Sequence, residues 1–177
     1  MTKSLTKIAA VLAGALIAFA SVVLLTTAQA DARNYRWRSA NSGPNIAQVA
    51  VENGNFTTLV SALQCTGLDR VVSSRFARLT VFAPTDAAFD KLGLNAENVC
   101  GTFKGRELVN ILLYHVDWGV KDSDKVLSRD SLRMLNFQRA PIDASVPSIA
   151  NAELNFDFLN IRASNGIIHV VNDVLLP

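Results

Sequence analysis

The sequence predicts an α+β domain on three observations. Apolar residues recur at helical spacing through the first part of the chain, and short, partly alternating strands fill the last part. Between them, one stretch specifies a strand and a helix back to back. That stretch, residues 79–89, reads LTVFAPTDAAF. Leu79 to Ala83 is a β-branched and aromatic run with the composition of a buried strand. Pro84 has no N–H to offer a ladder, so the strand stops there. Thr85 is then an N-cap, its hydroxyl accepting from a free amide of the first helical turn. Asp86 puts a negative charge at the positive end of the helix dipole, and Gly93 ends the helix. Capping accounts for Thr85 and Asp86 more economically than catalysis does.

Residues 1–30 read as a secretory signal peptide. Lys3 and Lys7 give a positive start, residues 8–25 are apolar but for Ser21 and a glycine, and Ala28-Gln29-Ala30 is a small-x-small cleavage pattern. The apolar run is longer than the ~7–15 residues usual for a signal core, so an uncleaved anchor is the other reading. Two of the 17 basic residues and none of the 15 acidic ones lie in this segment, which leaves 15 of each. The sequence pI of 8.7 is therefore no sign of nucleic acid, and the rest of the chain has no basic stripe.

Residues 31–44, DARNYRWRSANSGP, read as a flexible tether ending in a Gly-Pro breaker. Arg33, Arg36 and Arg38 alternate with Tyr35 and Trp37, a pattern able to touch an anionic surface or a glycan through charge and cation–π contact. Three charges are few for a dedicated electrostatic site, so a solvated terminus is the plainer reading.

Residues 45–177 form the predicted domain. Ile46, Val49 and Ala50 mark a first helix that stops near Asn53-Gly54. Phe56, Leu59, Val60 and Leu63 fit a second, capped by Thr57 and stopped at Gly67, with a short turn at Leu68, Val71 and Val72. Asn55-Phe56-Thr57 is also a glycosylation sequon. Residues 106–115 form the clearest amphipathic helix: Leu108, Ile111, Leu112 and His115 share one face, which puts His115 inside and Tyr114 at the edge. Short strands are expected at residues 120–127, 132–137 and 154–163, with Pro141 and Pro147 in the loops between them. Asn165-Gly166 is a strong hairpin signal of the type I′ kind, which needs positive φ at both positions. The strand Ile167 to Val171, holding His169, follows it.

Chemical templates find little purchase. Cys65 and Cys100 lack C-x-x-C spacing, so zinc and redox readings are weak, and an exported chain with two cysteines pairs them as a disulfide. His115 and His169 lie on different elements without ligand spacing. There is no G-x-S-x-G elbow and no phosphate-binding G-x-x-x-x-G-K-[ST] loop. Asp122 and Asp124 read as a solvated turn rather than a calcium loop. No catalytic, cofactor or metal residue is predicted.

The segments TVFAPTDAAF and NGIIHVVNDVLLP, with Tyr114-His115 within LLYHV between them, closely resemble the markers of the fasciclin domain family. The resemblance covers roughly residues 45–177. It implies a compact β-wedge of mainly antiparallel strands flanked by helices, with the last strand in the core. Thr85, Asp86, Tyr114, His115, Asn165, Gly166 and His169 fall on the family's motifs, and the residue-level reading makes them structural. The pair matching Tyr114 and His115 is linked to adhesion in animal members. The resemblance further implies a small, secreted or periplasmic, non-enzymatic module for cell adhesion or matrix binding. Its partner would be an extracellular protein or polysaccharide, with no nucleic acid, and a membrane only through an uncleaved N-terminal segment. The alternative it implies is a carrier of a lipophilic molecule such as a carotenoid. Asn172-Asp173 stands where many members have Asp first, and residues 137–154 are irregular; both bear on the partner surface.

Overall fold

A computed structural model describes residues 43–103 and 106–177; the predicted signal segment and all of the predicted tether but Gly43 and Pro44 lie outside the described residues. Helices come first. Helix α1 (Ile46–Asn53) is capped by Asn45, whose side chain accepts from the Gln48 amide, and ends at Gly54 in the left-handed region, φ 77°. Helix α2 (Thr57–Thr66) ends likewise at Gly67, φ 73°. A short α3 (Asp69–Ser73) leads into β1 (Leu79–Pro84). Helix α4 (Asp86–Asp90) follows with Thr85 as its N-cap, and Gly93 turns the chain at φ 71°. Then come α5 (Val99–Thr102), α6 (Glu107–Tyr114), β2 (Val116–Trp118), α7 (Ser123–Leu127), β3 (Ser131–Arg133), β4 (Arg139–Asp143), β5 (Ser148–Ile149), β6 (Ala152–Glu153), β7 (Ile161–Ala163) and β8 (Gly166–Val171).

The strands form two four-stranded sheets, ordered β2-β1-β8-β7 and β3-β4-β5-β6. All pairings between these strands are antiparallel except the central one, β1 with β8, which is parallel. Both central strands are buried at every position, as expected for strands covered on both faces. Their register makes the two cores legible. Leu79, Val81 and Ala83, with Ile168 and Val170, face the helices and pack with Ile46, Leu59, Leu108 and Leu112. Phe82 and Val171 face the other way, toward Leu132, Met134, Ile149 and Leu154 of the second sheet's segment and Leu175 of the tail. The α+β fold thus follows the predicted order, with the terminal strand at its centre.

Several local expectations give way. Residues 120–127 form not a strand but the short helix α7, because Asp122 caps it by accepting from the Lys125 amide. Residues 132–137 leave the ladder after Arg133 and turn at Phe137, φ 68°. Residues 154–163 break into a 3-10 turn (Phe156–Phe158) and β7. Pro141 lies within β4, opposite Ser131 where β3 begins, and its carbonyl accepts from Ala150. Helix α6 stops at Tyr114, so His115 follows the helix rather than closing its stripe. β2 was not expected at all; its three residues are too few for an alternating pattern.

Candidate functional site

The motif residues gather at three nodes around the central strand pair. At the first, Thr85 Oγ1 accepts from the Ala88 amide at 3.3 Å, the expected cap of α4. Asp86 does more than favour its own helix dipole. Its Oδ1 accepts from the Thr58 amide at 2.8 Å, and its Oδ2 accepts from the Thr57 amide at 3.1 Å and from the Thr57 hydroxyl at 2.8 Å. Helix α2 has Phe56 at its N-cap position with no side-chain bond of its own. The predicted cap, Thr57, is instead its first residue, because the bulky Phe56 is buried in the core and the cap is lent from α4. Partial desolvation pushes the Asp86 carboxyl up, but the bonds from Thr58 and Thr57 outweigh it and hold it below the ordinary value.

The second node is Tyr114-His115. The two side chains part at the end of α6. Tyr114 enters the second core and donates its hydroxyl to the Arg139 carbonyl at 3.3 Å; burial pushes its phenol up. His115 is 2% exposed. Its Nε2 accepts from the Leu175 amide at 2.9 Å, so the proton sits on Nδ1 and is donated to the Ile111 carbonyl at 2.8 Å. Burial pushes this imidazole down to about 4, with the Ile111 bond opposing. His115 also lines a cavity of about 20 Å³ together with Ile46, Phe56, Leu63 and Ile168. That is room for about one water, and the walls are mostly apolar.

The third node is the β7–β8 turn. The hairpin forms, with Ala163 paired to Gly166, but neither Asn165 nor Gly166 has positive φ, so the turn is not type I′. The reason is tertiary. Asn165 is fully buried, accepting from the Ile46 amide at 2.9 Å and donating to the Val72 and Ser74 carbonyls at 2.7 and 3.0 Å. Gly166 is required for close approach: a Cβ there would lie 2.2 Å from the Leu79 carbonyl oxygen and 2.7 Å from Ile46 Cδ1. Further along β8, His169 donates from Nε2 to the Lys121 carbonyl at 2.8 Å and accepts at Nδ1 from the Asn160 amide at 3.3 Å. Burial pushes its imidazole down, against the Lys121 bond and the charge of Asp122.

These are the residues of the fasciclin pattern, in the fold that the pattern implies. A fasciclin domain model matches residues 54–177. The chain belongs to the fasciclin domain family. Among curated fasciclin relatives, the uncharacterized protein sll1735 of Synechocystis is 33% identical over 139 residues, covering 75% of this chain and 98% of that protein. The transforming growth factor-beta-induced protein ig-h3 of Sus scrofa is 32% identical over 133 residues, but the chain spans only 19% of its length. Among solved structures, the fasciclin domain pair of the insect cell adhesion molecule fasciclin I aligns with a TM-score of 0.58 at 14% identity, over 76% of this chain and 51% of that one.

Sequence reasoning missed two features around the fasciclin core. Asp117, nearly buried, pairs through Oδ2 with Lys121 Nζ at 2.7 Å, and that ammonium also donates to the Trp118 carbonyl. The i, i+4 spacing of Asp117 and Lys121 was readable, but it spans a strand and a turn, not a helix. Lys91 binds Asp173 at 2.6 Å and the Asn172 carbonyl at 2.9 Å, so the unusual Asn172-Asp173 pair anchors the tail to α4's end. Cys65 and Cys100 are bonded, joining α2 to α5. Among the described residues no group of His, Cys, Asp and Glu is placed to hold a metal, and no helix is long and apolar enough to cross a membrane.

Proposed function

We propose that this fasciclin domain is a secreted or periplasmic, non-enzymatic binding module for cell adhesion or matrix contact, with an extracellular protein or polysaccharide as its partner. One observation carries the reading. The polar side chains that mark the family's segments are spent on holding the domain together: Thr85 and Asp86 on helix ends, Tyr114, His115 and His169 on backbone groups, and Asn165 on three backbone partners. A rigid scaffold of this kind leaves recognition to its loops. The carrier alternative draws no support from the core cavity, whose 20 Å³ has room for about one water.

The test compares parent and Thr85→Ala chains, well below the variant's melting point, on immobilised matrix proteins and polysaccharides. Equal binding is expected. A turnover activity of the parent that folded Thr85→Ala lacks would overturn both the capping role and the non-enzymatic reading. A visible absorbance band co-eluting with protein from its native source would favour the carrier.

A further inference from the structure

One end of the first sheet carries a surface that the fasciclin core does not use. A continuous set of backbone and side-chain bonds gathers the segments there. The Pro44 carbonyl accepts from the Ser164 amide, Asn165 bonds Ser74 through its side chain and Leu79 through its carbonyl, and the Arg78 carbonyl accepts from Gly119 at 2.7 Å. Phe76, three residues before β1 begins, and Trp118, paired with Leu79 at the start of β1, lie on the segments gathered here. Phe76 is 92% exposed, the most exposed large apolar side chain among the described residues, and Trp118 is 63% exposed, with the exposed Val120 two residues on. Arg75 and Arg78 flank Phe76 and are exposed. Residues 74–78 and 118–120 contain no acid. The nearby Lys121 ammonium is already paired with Asp117 and adds no free charge.

We propose that this end of the domain is an interfacial contact for an anionic lipid bilayer. Exposed Trp and Phe with two arginines beside Phe76 match the chemistry of the headgroup boundary: apolar rings enter the acyl edge and the cations meet anionic headgroups. A polysaccharide needs amide or carboxylate side chains to bond its hydroxyls, and residues 74–78 and 118–120 hold no Asn, Gln, Asp or Glu, which favours lipid over polysaccharide. The proposal goes beyond the binding-module reading and does not depend on it.

The experiment uses the mature chain that begins after the predicted cleavage site at Ala30, with Trp37→Phe, which leaves Trp118 as its one tryptophan. Trp118 emission is followed with vesicles of phosphatidylcholine alone and with phosphatidylglycerol added. The expected result is a blue shift with the anionic vesicles, reversed by salt. It should weaken at least about tenfold in Arg75→Glu/Arg78→Glu and by a similar factor in Phe76→Ser. These side chains are exposed, so melting temperatures should not move. If charge reversal does disturb folding, Arg75→Gln/Arg78→Gln should show a smaller loss. No shift with either vesicle, or equal shifts with both, overturns the proposal. So does a shift given by dextran sulfate or polygalacturonate when vesicles give none, which would assign the surface to a polysaccharide.

Discussion

Leu175 donates its backbone N–H to Nε2 of His115 across 60 residues of sequence. This bond pins the C-terminal tail to the end of α6 and requires a neutral imidazole, since a protonated Nε2 cannot accept. Burial holds His115 at about 4 in the fold against 6.5 in an open chain. Between those values the unfolded chain binds the extra proton. Stability from this group is therefore complete above pH 6.5, falls as pH drops toward 4, and changes no further below it. The expected loss across that window is about 3 kcal/mol. Urea denaturation of parent and His115→Gln near both ends of the window checks this. His169, lowered in the same direction by burial, should leave the variant a shallower slope rather than none.

Asp86 serves two helices and Thr85 one. Thr85→Ala should cost about 0.5–2 kcal/mol, the usual worth of a cap. Asp86→Ala should cost more, because it also strands the Thr57 and Thr58 amides at the start of α2. Asp86 is held below its ordinary value, so its contribution is present above pH 3.8 and is lost as pH falls through its folded value, below the His115 window. Chemical denaturation of both variants at neutral pH decides the order; equal costs would show that the bonds to α2 carry no weight.

Gly166→Ala should be among the most damaging single changes, at about 3 kcal/mol or more, since the added methyl meets backbone that cannot step aside. Asn165→Ala should cost a comparable amount by leaving the Ile46 amide and the Val72 carbonyl without their buried partner. Thermal melts suffice. A parent-like Gly166→Ala would mean that β8 shifts away from Leu79.

What the sequence made legible was local chemistry. Strand, proline stop, Thr85 cap and helix lie within a few residues, and the stops at Gly54 and Gly67 depend only on their own φ, whereas the helix expected to run to Gly93 ends at Asp90 with Lys91 as its C-cap. The burial of His115 was readable from its neighbours Leu108, Ile111 and Leu112. What stayed hidden was non-local. Nothing near Asp86 announces that it caps α2, some thirty residues earlier in the chain. Asn165-Gly166 reads as a type I′ turn only while Asn165 is imagined in solvent; three buried backbone partners draw it inward and make the glycine a packing requirement instead. The parallel pairing of β1 with β8 joins the two most strand-like runs across most of the domain, and no local pattern states its direction. Phe76 and Trp118 look like ordinary apolar residues until the fold leaves them outside.

The Cys65–Cys100 bond yields the last prediction. It ties the last turn of α2 to α5, a helix of four residues that Val99 anchors in the first core. A helix so short has little stability of its own, so the bond matters most for α5 and the turn around it. Closing a loop with a sequence separation of 35 should stabilise the domain by roughly 3–4 kcal/mol in the chain-entropy account. Reduction should accordingly lower the urea midpoint. It should also speed amide exchange in residues 95–103 more than in β1 or β8, because the central strands are held by packing that does not involve the bond. Alkylation of native protein without reductant checks the premise: two labelled thiols would show that the bond is absent from the folded chain. Uniform acceleration of exchange on reduction would show that α5 and the central sheet open as one unit.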